Sequence, residues 1–224
     1  MVGSPVTSWT DRKGGVAFTS SGTIPLATVN GRSVPDFTNG PYLQTSSLVL
    51  TQDTAHVFVV AQVDSFGSSV TDGILFRVNR ASSTSWAGCG VYFVTFNRSL
   101  FFERQGGAGG NVYRSNTDAL AVGQTYLLEF LNDGTTGERG FWVNGKKQNG
   151  QTVQEVDPVG LWWSRPSTAT HTQIGTASFD SDETGMAFDG RICETWVYQG
   201  VRLSAHDMWK NRLYARTRWN VPLN

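Results

Sequence analysis

The sequence lacks several features that assign a chain to a functional class at once. Charged residues make up only 16% of its 224 residues, and 18 acidic residues balance 18 basic ones, so the net charge is zero. This balance gives no overall field that would attract nucleic acid or an anionic membrane. No apolar run is long enough to span a bilayer, and residues 1–20 lack the basic and apolar regions of a signal peptide.

The absence of a signal peptide predicts either synthesis in the cytoplasm or a sequence that is a fragment of a longer protein. Phage structural proteins fit the first case, because they are made in the host cytoplasm and later face the outside. Only two cysteines are present, Cys89 and Cys193, and cytoplasmic thiols stay reduced. We therefore expect both to be unpaired and buried, whereas a disulfide between them would indicate a secreted origin.

Catalytic motifs are also missing. The three histidines, His56, His171 and His206, have no second zinc ligand at the usual close spacing. Neither a G-x-S-x-G nucleophile elbow nor a phosphate-binding glycine loop is present. His56 opens an apolar strand, and we predict that it is a hydrogen-bonded structural histidine rather than a catalyst.

What the sequence does contain is a succession of strand-like runs separated by turn residues. The clearest runs are His56–Val63, Gly73–Asn79, Gly90–Phe96, Ser99–Arg104, Thr125–Leu131 and Gly140–Asn144. Only residues 204–216 have helical periodicity, and Ser204 with Asp207 forms the S-x-x-D box that begins a helix. This pattern predicts two packed antiparallel sheets followed by a short helix.

The predicted helix carries both apolar and basic side chains. We expect an apolar stripe to dock the helix on the sandwich; it consists of Met208, Trp209 and Leu213. We expect the cations to form a solvated face that interacts with the C-terminal end of the helix dipole; they are Lys210, Arg212, Arg216 and Arg218.

Several short motifs occur in the order seen in laminin G-like and other concanavalin A-like sandwiches. They are Trp9, Asp11, Gly14 and Gly15, then Asn30–Phe37, Val57–Val63, Tyr126–Gly145, Ile174-Gly175 and Phe188-Asp189-Gly190. The chain resembles this superfamily, in particular the laminin G-like jelly rolls of bacterial and phage proteins. The resemblance implies one all-β domain over residues 1–224, a two-sheet antiparallel jelly-roll sandwich with a short C-terminal helix. It implies less about function, because the fold hosts lectins, hydrolases and structural modules.

Sandwich glycosidases of the laminarinase type resemble this fold and carry an E-x-D-x-x-E run, which directs two carboxylates into one cleft. The closest run here, from Glu155 to Gly160, lacks the final carboxylate, and Pro158 does not suit a central strand. Glu129 and Glu194 lie in predicted strands. Glu194 has no carboxylate two or four residues away, and the one at such a spacing from Glu129, Asp133, belongs to the Asn132-Asp133-Gly134 turn. The resemblance gives Glu194 a structural role. We therefore predict that the chain is not an enzyme.

Aromatic residues in irregular regions are the best candidates for binding. Trp162 and Trp163 are adjacent and close to Arg165 in the long irregular stretch 150–171, and Trp86 precedes Gly88. An exposed tryptophan is a common platform for sugars and protein partners. The alternative is that the indoles cover an open end of the sandwich. We predict that these four residues bind the ligand or partner.

Three carboxylates, those of Asp180, Asp182 and Glu183, lie within four residues shortly before the last predicted strand. Such oxygen clusters bind Ca²⁺, and several concanavalin A-like proteins use calcium in their end loops. The simpler interpretation, which we favour, is a solvated acidic turn. No other cofactor is expected.

Together these features predict a non-catalytic binding or structural module on the surface of a phage virion, as a capsid decoration or tail appendage. The expected partners are other virion proteins, cell-surface glycans or both, without nucleic acid and without membrane insertion. Homo-oligomerisation is compatible with the sequence. The alternative is an extracellular protein, either a secreted carbohydrate-binding module or a glycoside hydrolase domain.

Overall fold

The computed structural model describes residues 5–38, 40–47, 51–65, 72–79, 88–94, 99–106, 109–115, 120–154, 171–175 and 188–224. Within these ranges the chain forms sixteen strands and one helix. In chain order they are β1 (Val6–Thr10), β2 (Ala17–Ile24), β3 (Leu26–Val29), β4 (Arg32–Pro35), β5 (Leu43–Thr45), β6 (Ala55–Val63), β7 (Asp72–Asn79), β8 (Gly88–Val94), β9 (Ser99–Gly106), β10 (Gly109–Ser115), β11 (Thr125–Asn132), β12 (Arg139–Val143), β13 (Lys146–Lys147), β14 (Gly150–Gln154), β15 (His171–Ile174), β16 (Gly190–Gln199) and α1 (Ala205–Trp219).

In this described part of the chain the strands form two large antiparallel sheets and a hairpin. The nine-stranded sheet has the order β1-β2-β5-β15-β7-β8-β9-β10-β14, and the five-stranded sheet has the order β13-β12-β11-β6-β16. The hairpin consists of β3 and β4. These observations confirm the predicted all-β, two-sheet antiparallel jelly-roll sandwich with a C-terminal helix.

The main core lies between the inner faces of the two sheets. Strand β6 is central, because it pairs with β11 on one side and β16 on the other. Its residues Val57, Val59 and Ala61 face the main core, while Phe58 and Val60 pack in a second apolar cluster on the outer side of the sheet. Both faces of β6 are therefore covered, which explains why this run is apolar at nearly every position.

The β3–β4 hairpin and α1 cover the outer side of the five-stranded sheet. Val29 and Val34 of the hairpin and Trp219 of α1 belong to the same apolar cluster as Phe58. The side-chain amide of Asn30 donates a hydrogen bond to the carbonyl of Trp219. The guanidinium of Arg32 donates a hydrogen bond to the carbonyl of Arg218. The hairpin therefore supplies partners for carbonyl groups that the end of a helix leaves without intrahelical bonds.

Helix α1 begins as the sequence predicts. The Ser204 hydroxyl accepts a hydrogen bond of 3.1 Å from the Asp207 amide, as an N-cap should. The helix ends at Trp219, three residues beyond the predicted end, where Asn220 adopts a left-handed conformation with a φ of 53°.

The prediction that an apolar stripe docks α1 on the sandwich is wrong for Trp209 and Leu213, whereas Met208 is partly buried. Trp209 and Leu213 are 53% and 40% exposed, whereas Ala215 and Trp219 are buried. On the docked side the Asn211 side chain accepts hydrogen bonds from two aromatic side chains of β16. Positions 211, 215 and 219 recur every four residues and form one helix face. This docked face differs from the side on which Trp209 and Leu213 lie, because the prediction considered only the apolar character of the residues.

Cys193 is buried and forms no disulfide in the described part of the chain, in agreement with the prediction. Burial raises the pKa of its thiol to about 12. The side chain of Cys89 lies outside the described residues. Within the described ranges no helix is long and apolar enough to cross a bilayer.

Candidate functional site

The outer face of the nine-stranded sheet, opposite its core side, collects polar and aromatic residues from neighbouring strands. Leu43, Ile174 and Tyr113 mark the side that packs in the core. Because residues alternate between the two faces of a strand, the neighbours Gln44, Gln173 and Arg114 lie on the outer face. We call this surface the outer sheet face.

Strand register arranges the outer sheet face in three rows. The middle row crosses six strands, from β5 to β10, through Gln44, Gln173, Arg77, Gly90, Glu103 and Val112. The row on one side consists of Ile74, Tyr92, Phe101, Arg114 and Gln151. The row on the other side consists of His171, Asn79, Gly88, Gln105 and Gly110. By strand register, residues of amide, guanidinium, carboxylate and aromatic type therefore occupy positions on one face of the sheet.

The described side chains show which part of the outer sheet face a ligand can reach. Gln173 is fully buried, and Gln44 is partly buried with an amide oxygen that has no hydrogen-bond partner among the described residues. Arg114 and His171 are partly exposed. The β5 and β15 side is thus covered, whereas Arg114 on the β10 side is partly exposed.

The four predicted binding residues, Trp86, Trp162, Trp163 and Arg165, lie outside the described residues. The strands that flank them are described, however. Trp86 belongs to the connection from Asn79 to Gly88, and the other three belong to the connection from Gln154 to His171. His171 pairs with Asn79, and Asn79 pairs with Gly88. Both connections therefore return to the sheet at the same end, on the neighbouring strands β15, β7 and β8.

The opposite end of the sandwich holds a cluster of carboxylates around one arginine. The Arg191 guanidinium lies 2.7 Å from Asp64 Oδ1 and 3.6 Å from Asp36 Oδ2. Asp189 accepts a hydrogen bond from Ser65 beside them. Burial raises the pKa of Asp64, the charge of Arg191 opposes that increase, and the neighbouring carboxylates Asp36 and Asp189 add to it. Arg191 supplies the positive charge in this cluster.

The predicted calcium ligands Asp180, Asp182 and Glu183 also lie outside the described residues. The segment that contains them begins after Gly175 and ends before Phe188, whose amide donates a 2.8 Å hydrogen bond to the Gly175 carbonyl. Among the residues that the structure places, no group of three histidine, cysteine or acidic side chains is arranged to hold a metal ion.

Two of the carboxylates considered as catalytic groups are used to dock α1. Glu129 is fully buried and accepts hydrogen bonds from Arg212 at 2.8 Å on each carboxylate oxygen. Burial raises the pKa of Glu129, and the hydrogen bonds and charge of Arg212 oppose that increase. Glu194 accepts hydrogen bonds from Tyr214, Arg218 and Trp219 at 2.7–3.1 Å.

These contacts correct the prediction of a solvated basic face on α1. Arg212 is a partner of a buried carboxylate, and Arg218 lies against Glu194 with only 27% of its side chain exposed. They also agree with the structural role expected for Glu194. Glu155, the remaining candidate, lies outside the described residues.

His56 differs from the prediction in one respect. It is fully buried, as a structural histidine should be, and its ring stacks on Phe58 at a centroid distance of 4.6 Å. Neither ring nitrogen has a hydrogen-bond partner among the described residues, so it is not hydrogen-bonded as expected. Burial, and then the charges of Arg212 and Arg202, lower its pKa to about 3. His56 therefore stays neutral and is unsuited to acid–base catalysis near neutral pH.

Solved structures similar to this chain include sandwich domains of carbohydrate-active proteins. The CBM40 module of the Ruminococcus gnavus IT-sialidase has a TM-score of 0.62 at 14% identity, over 79% of this chain and 95% of that one. Domain 4 of AbnA, a GH43 extracellular arabinanase from Geobacillus stearothermophilus, has a TM-score of 0.54 at 13% identity, over 89% and 94%.

The NanB sialidase from Streptococcus pneumoniae has a TM-score of 0.60 at 13% identity over 78% of this chain. This chain spans only 26% of the length of that sialidase. No protein-family model matches the sequence, and no curated protein matches it either. At these identities the similarity shows a shared fold, the jelly-roll β-sandwich also found in carbohydrate-binding modules.

Proposed function

We propose that this chain is a non-catalytic module that binds glycans through the outer sheet face. The observation that carries the proposal is the arrangement of planar polar and aromatic residues in rows across that face. Sugars present hydroxyl groups, which hydrogen-bond to amide, carboxylate and guanidinium groups. They also present apolar C–H surfaces, which pack against aromatic rings.

The structural neighbours supply the first ligands to test. The R. gnavus CBM40 module is bound to α2,3-sialyllactose in one structure and to α2,6-sialyllactose in another. AbnA domain 4 is in complex with arabinotriose. Sialyllactose is acidic and arabinotriose is neutral, so the pair separates recognition of a charged sugar from recognition of a neutral one. Arg77 and Arg114 on the outer sheet face favour the acidic ligand.

The use of Glu129 and Glu194 in docking α1 supports a role without catalysis. Retaining hydrolysis needs a carboxylate nucleophile and a second carboxyl group on opposite sides of the scissile bond. A carboxylate that is buried and held by a bidentate arginine is available for neither task. A glycoside hydrolase would therefore need other acidic residues.

We also propose that Trp162, Trp163, Arg165 and Trp86 extend this binding surface. The described strands β7, β8 and β15 receive the connections that carry these residues, at the end of the sheet where His171 and Asn79 pair. An aromatic platform beside the outer sheet face would add contact area for a longer glycan. The same connections suit a protein partner, which keeps that alternative open.

The finer assignments remain proposals. We propose that residues 1–224 form one domain of the laminin G-like, concanavalin A-like type. Two motifs support this assignment: the Asn144-Gly145 turn between β12 and β13, and Phe188-Asp189-Gly190 at the start of β16. A place on a phage virion, with capsid or tail proteins as partners, stays a prediction, as does the extracellular alternative. A calcium ion in the segment with Asp180, Asp182 and Glu183 is likewise untested.

Calorimetric titration with α2,3-sialyllactose and arabinotriose tests the glycan-binding proposal. We expect one ligand to bind, and we expect Arg114→Ala and Tyr92→Ala each to weaken that binding at least tenfold, or by about 1.4 kcal/mol. Arg216→Ala is the matched control, because Arg216 is an exposed arginine on α1, across the sandwich. Binding that both variants leave unchanged, or no binding of any glycan on an array, would contradict the proposal.

A further inference from the structure

Helix α1 exposes apolar side chains on the side that faces away from the sandwich. Trp209 is 53% exposed, Leu213 is 40% exposed, and the ring of His206 stacks on Trp209 with an angle of 13° between the planes. Lys210 and Thr217 lie on the same side by helical spacing and are exposed. We call these five residues the outer stripe of α1.

The docking of α1 does not explain the outer stripe. On the sandwich side, Arg212 binds Glu129, Asn211 accepts two hydrogen bonds from β16, and Ala215 and Trp219 are buried. Single exposed apolar residues are normal on a protein surface. A tryptophan and a leucine one turn apart, on a helix whose docked side is already satisfied, form a patch of the kind found at interaction surfaces.

We propose that the outer stripe is a self-association surface, on which a second copy of the chain packs its own α1 in antiparallel orientation. A two-fold axis through such a contact brings Trp209 and Leu213 of one copy against Leu213 and Trp209 of the other. The same patch is then buried on both copies, as in the commonest class of homodimer.

Charge favours a second copy in this orientation. The first turn of α1 carries Asp207, and the last turn carries Arg216, which is exposed, and Arg218, which is held by Glu194. An antiparallel pair places the acidic first turn of one helix beside the basic last turn of the other, and it opposes the two helix dipoles. The whole chain has a net charge of zero, so two copies do not repel each other overall.

The same charges disfavour a membrane as the occupant. Surfaces that bind anionic lipids through charge usually present about four to eight cations. The exposed cations of α1 are Lys210, which lies 3.8 Å from Asp207, and Arg216. An acidic protein partner would suit a helix that is basic at both ends, whereas the first turn here is acidic.

The size of the contact predicts a weak dimer. We expect a contact made by one fifteen-residue helix per copy to bury less area than the roughly 1,200 Å² at the lower limit of standard interfaces. We therefore expect association that depends on concentration over the micromolar range rather than a permanent dimer. The proposal concerns a surface on the far side of the sandwich from the outer sheet face, so it does not depend on glycan binding.

Sedimentation velocity over a hundredfold concentration range, from low to high micromolar, tests this proposal. We expect the sedimentation coefficient of the wild-type chain to rise toward that of a dimer. Trp209→Ala and Leu213→Ser should each raise the dissociation constant at least tenfold, without a change in circular dichroism. The matched control is Val122→Ser, which removes an apolar side chain that is 51% exposed and lies away from α1.

Two results would overturn the proposal. One is a wild-type chain that stays monomeric over the whole concentration range. That result overturns the proposal even if Trp209 is then found to bind phosphatidylserine vesicles, the probe for a membrane, or polyglutamate, the probe for an acidic partner. The other is a dimer that neither α1 variant weakens.

Discussion

Arg212 of α1 donates two hydrogen bonds to the buried carboxylate of Glu129 on β11, one from Nε and one from Nη2, each 2.8 Å long. The two residues are 83 positions apart in the chain. The carboxylate is fully buried and the arginine side chain is 19% exposed. This bidentate pair lies under α1, so the docking of the helix and the burial of the charge depend on each other.

We expect Arg212→Ala to lower the free energy of unfolding by about 3 kcal/mol or more, because it leaves a buried carboxylate without a partner. Replacing both members of the pair by methionine should recover most of that loss, since an apolar pair has no charge to bury. Lys210→Ala, on the exposed side of the same helix, should change the free energy by no more than about 0.5 kcal/mol. Urea unfolding measures all three. Equal losses in Arg212→Ala and in the double variant would contradict this account.

His56 should make the fold sensitive to acid. Its pKa is about 3 in the folded chain, against an ordinary value of 6.5, so the unfolded chain binds the additional proton between these values. The free energy of unfolding should therefore decrease as the pH falls, by about 1.4 kcal/mol per pH unit between about pH 6 and pH 4. The raised pKa of Glu129 acts in the opposite direction, at pH values above the ordinary pKa of a glutamate.

Urea unfolding at several pH values isolates the contribution of His56. His56→Leu should remove most of the dependence between about pH 6 and pH 4. His206→Gln is the matched control, because His206 is exposed on α1, and it should leave the dependence unchanged. A His56→Leu chain that loses stability with acid as steeply as the wild type would show that other groups cause the effect.

Elements with local signals could be predicted from the sequence. The apolar run of β6 indicates a strand that is covered on both faces, and the cap at Ser204 marks the start of α1. The Asn144-Gly145 pair indicates a hairpin turn, and both residues have the positive φ that such a turn requires, 53° and 83°. Each of these signals spans only a few residues, so no long-range contact is needed to recognise it.

Properties that depend on distant contacts could not be predicted. Contacts with Glu129 and with side chains of β16 determine which face of α1 docks on the sandwich. Helical periodicity in the sequence does not reveal these contacts. His56 has no hydrogen-bond partner among the described residues because of what packs around it, including Phe58 and Trp142. The outer sheet face combines residues from strands β5 to β14, and only the register of those strands brings them into rows.

A side chain at Gly145 should destabilise the turn. Its φ is 83°, and an added Cβ would lie 3.3 Å from Cδ of Arg212, the residue that holds Glu129. Gly145→Ala should therefore cost about 1–2 kcal/mol of unfolding free energy from the backbone alone. Gly22→Ala is the control: no atom lies within 4 Å of its added Cβ, and its φ is not positive. If both variants unfold at the same urea concentration, the turn imposes no such constraint.

The connection from Gln154 to His171 is predicted to carry binding anchors, and its tryptophans give the sharpest test of that prediction. Long connections within a sandwich tend to be functional, and tryptophan and arginine are enriched at binding hot spots. We expect Trp162→Ala or Trp163→Ala to weaken attachment to the glycan or the protein partner by about 2 kcal/mol or more, with an unchanged melting temperature. Binding is measured by calorimetry with the ligand identified on the glycan array, and melting by circular dichroism. A large fall in melting temperature would instead show that the indoles cover the end of the sandwich, and the anchors would then have to be sought on the outer sheet face alone.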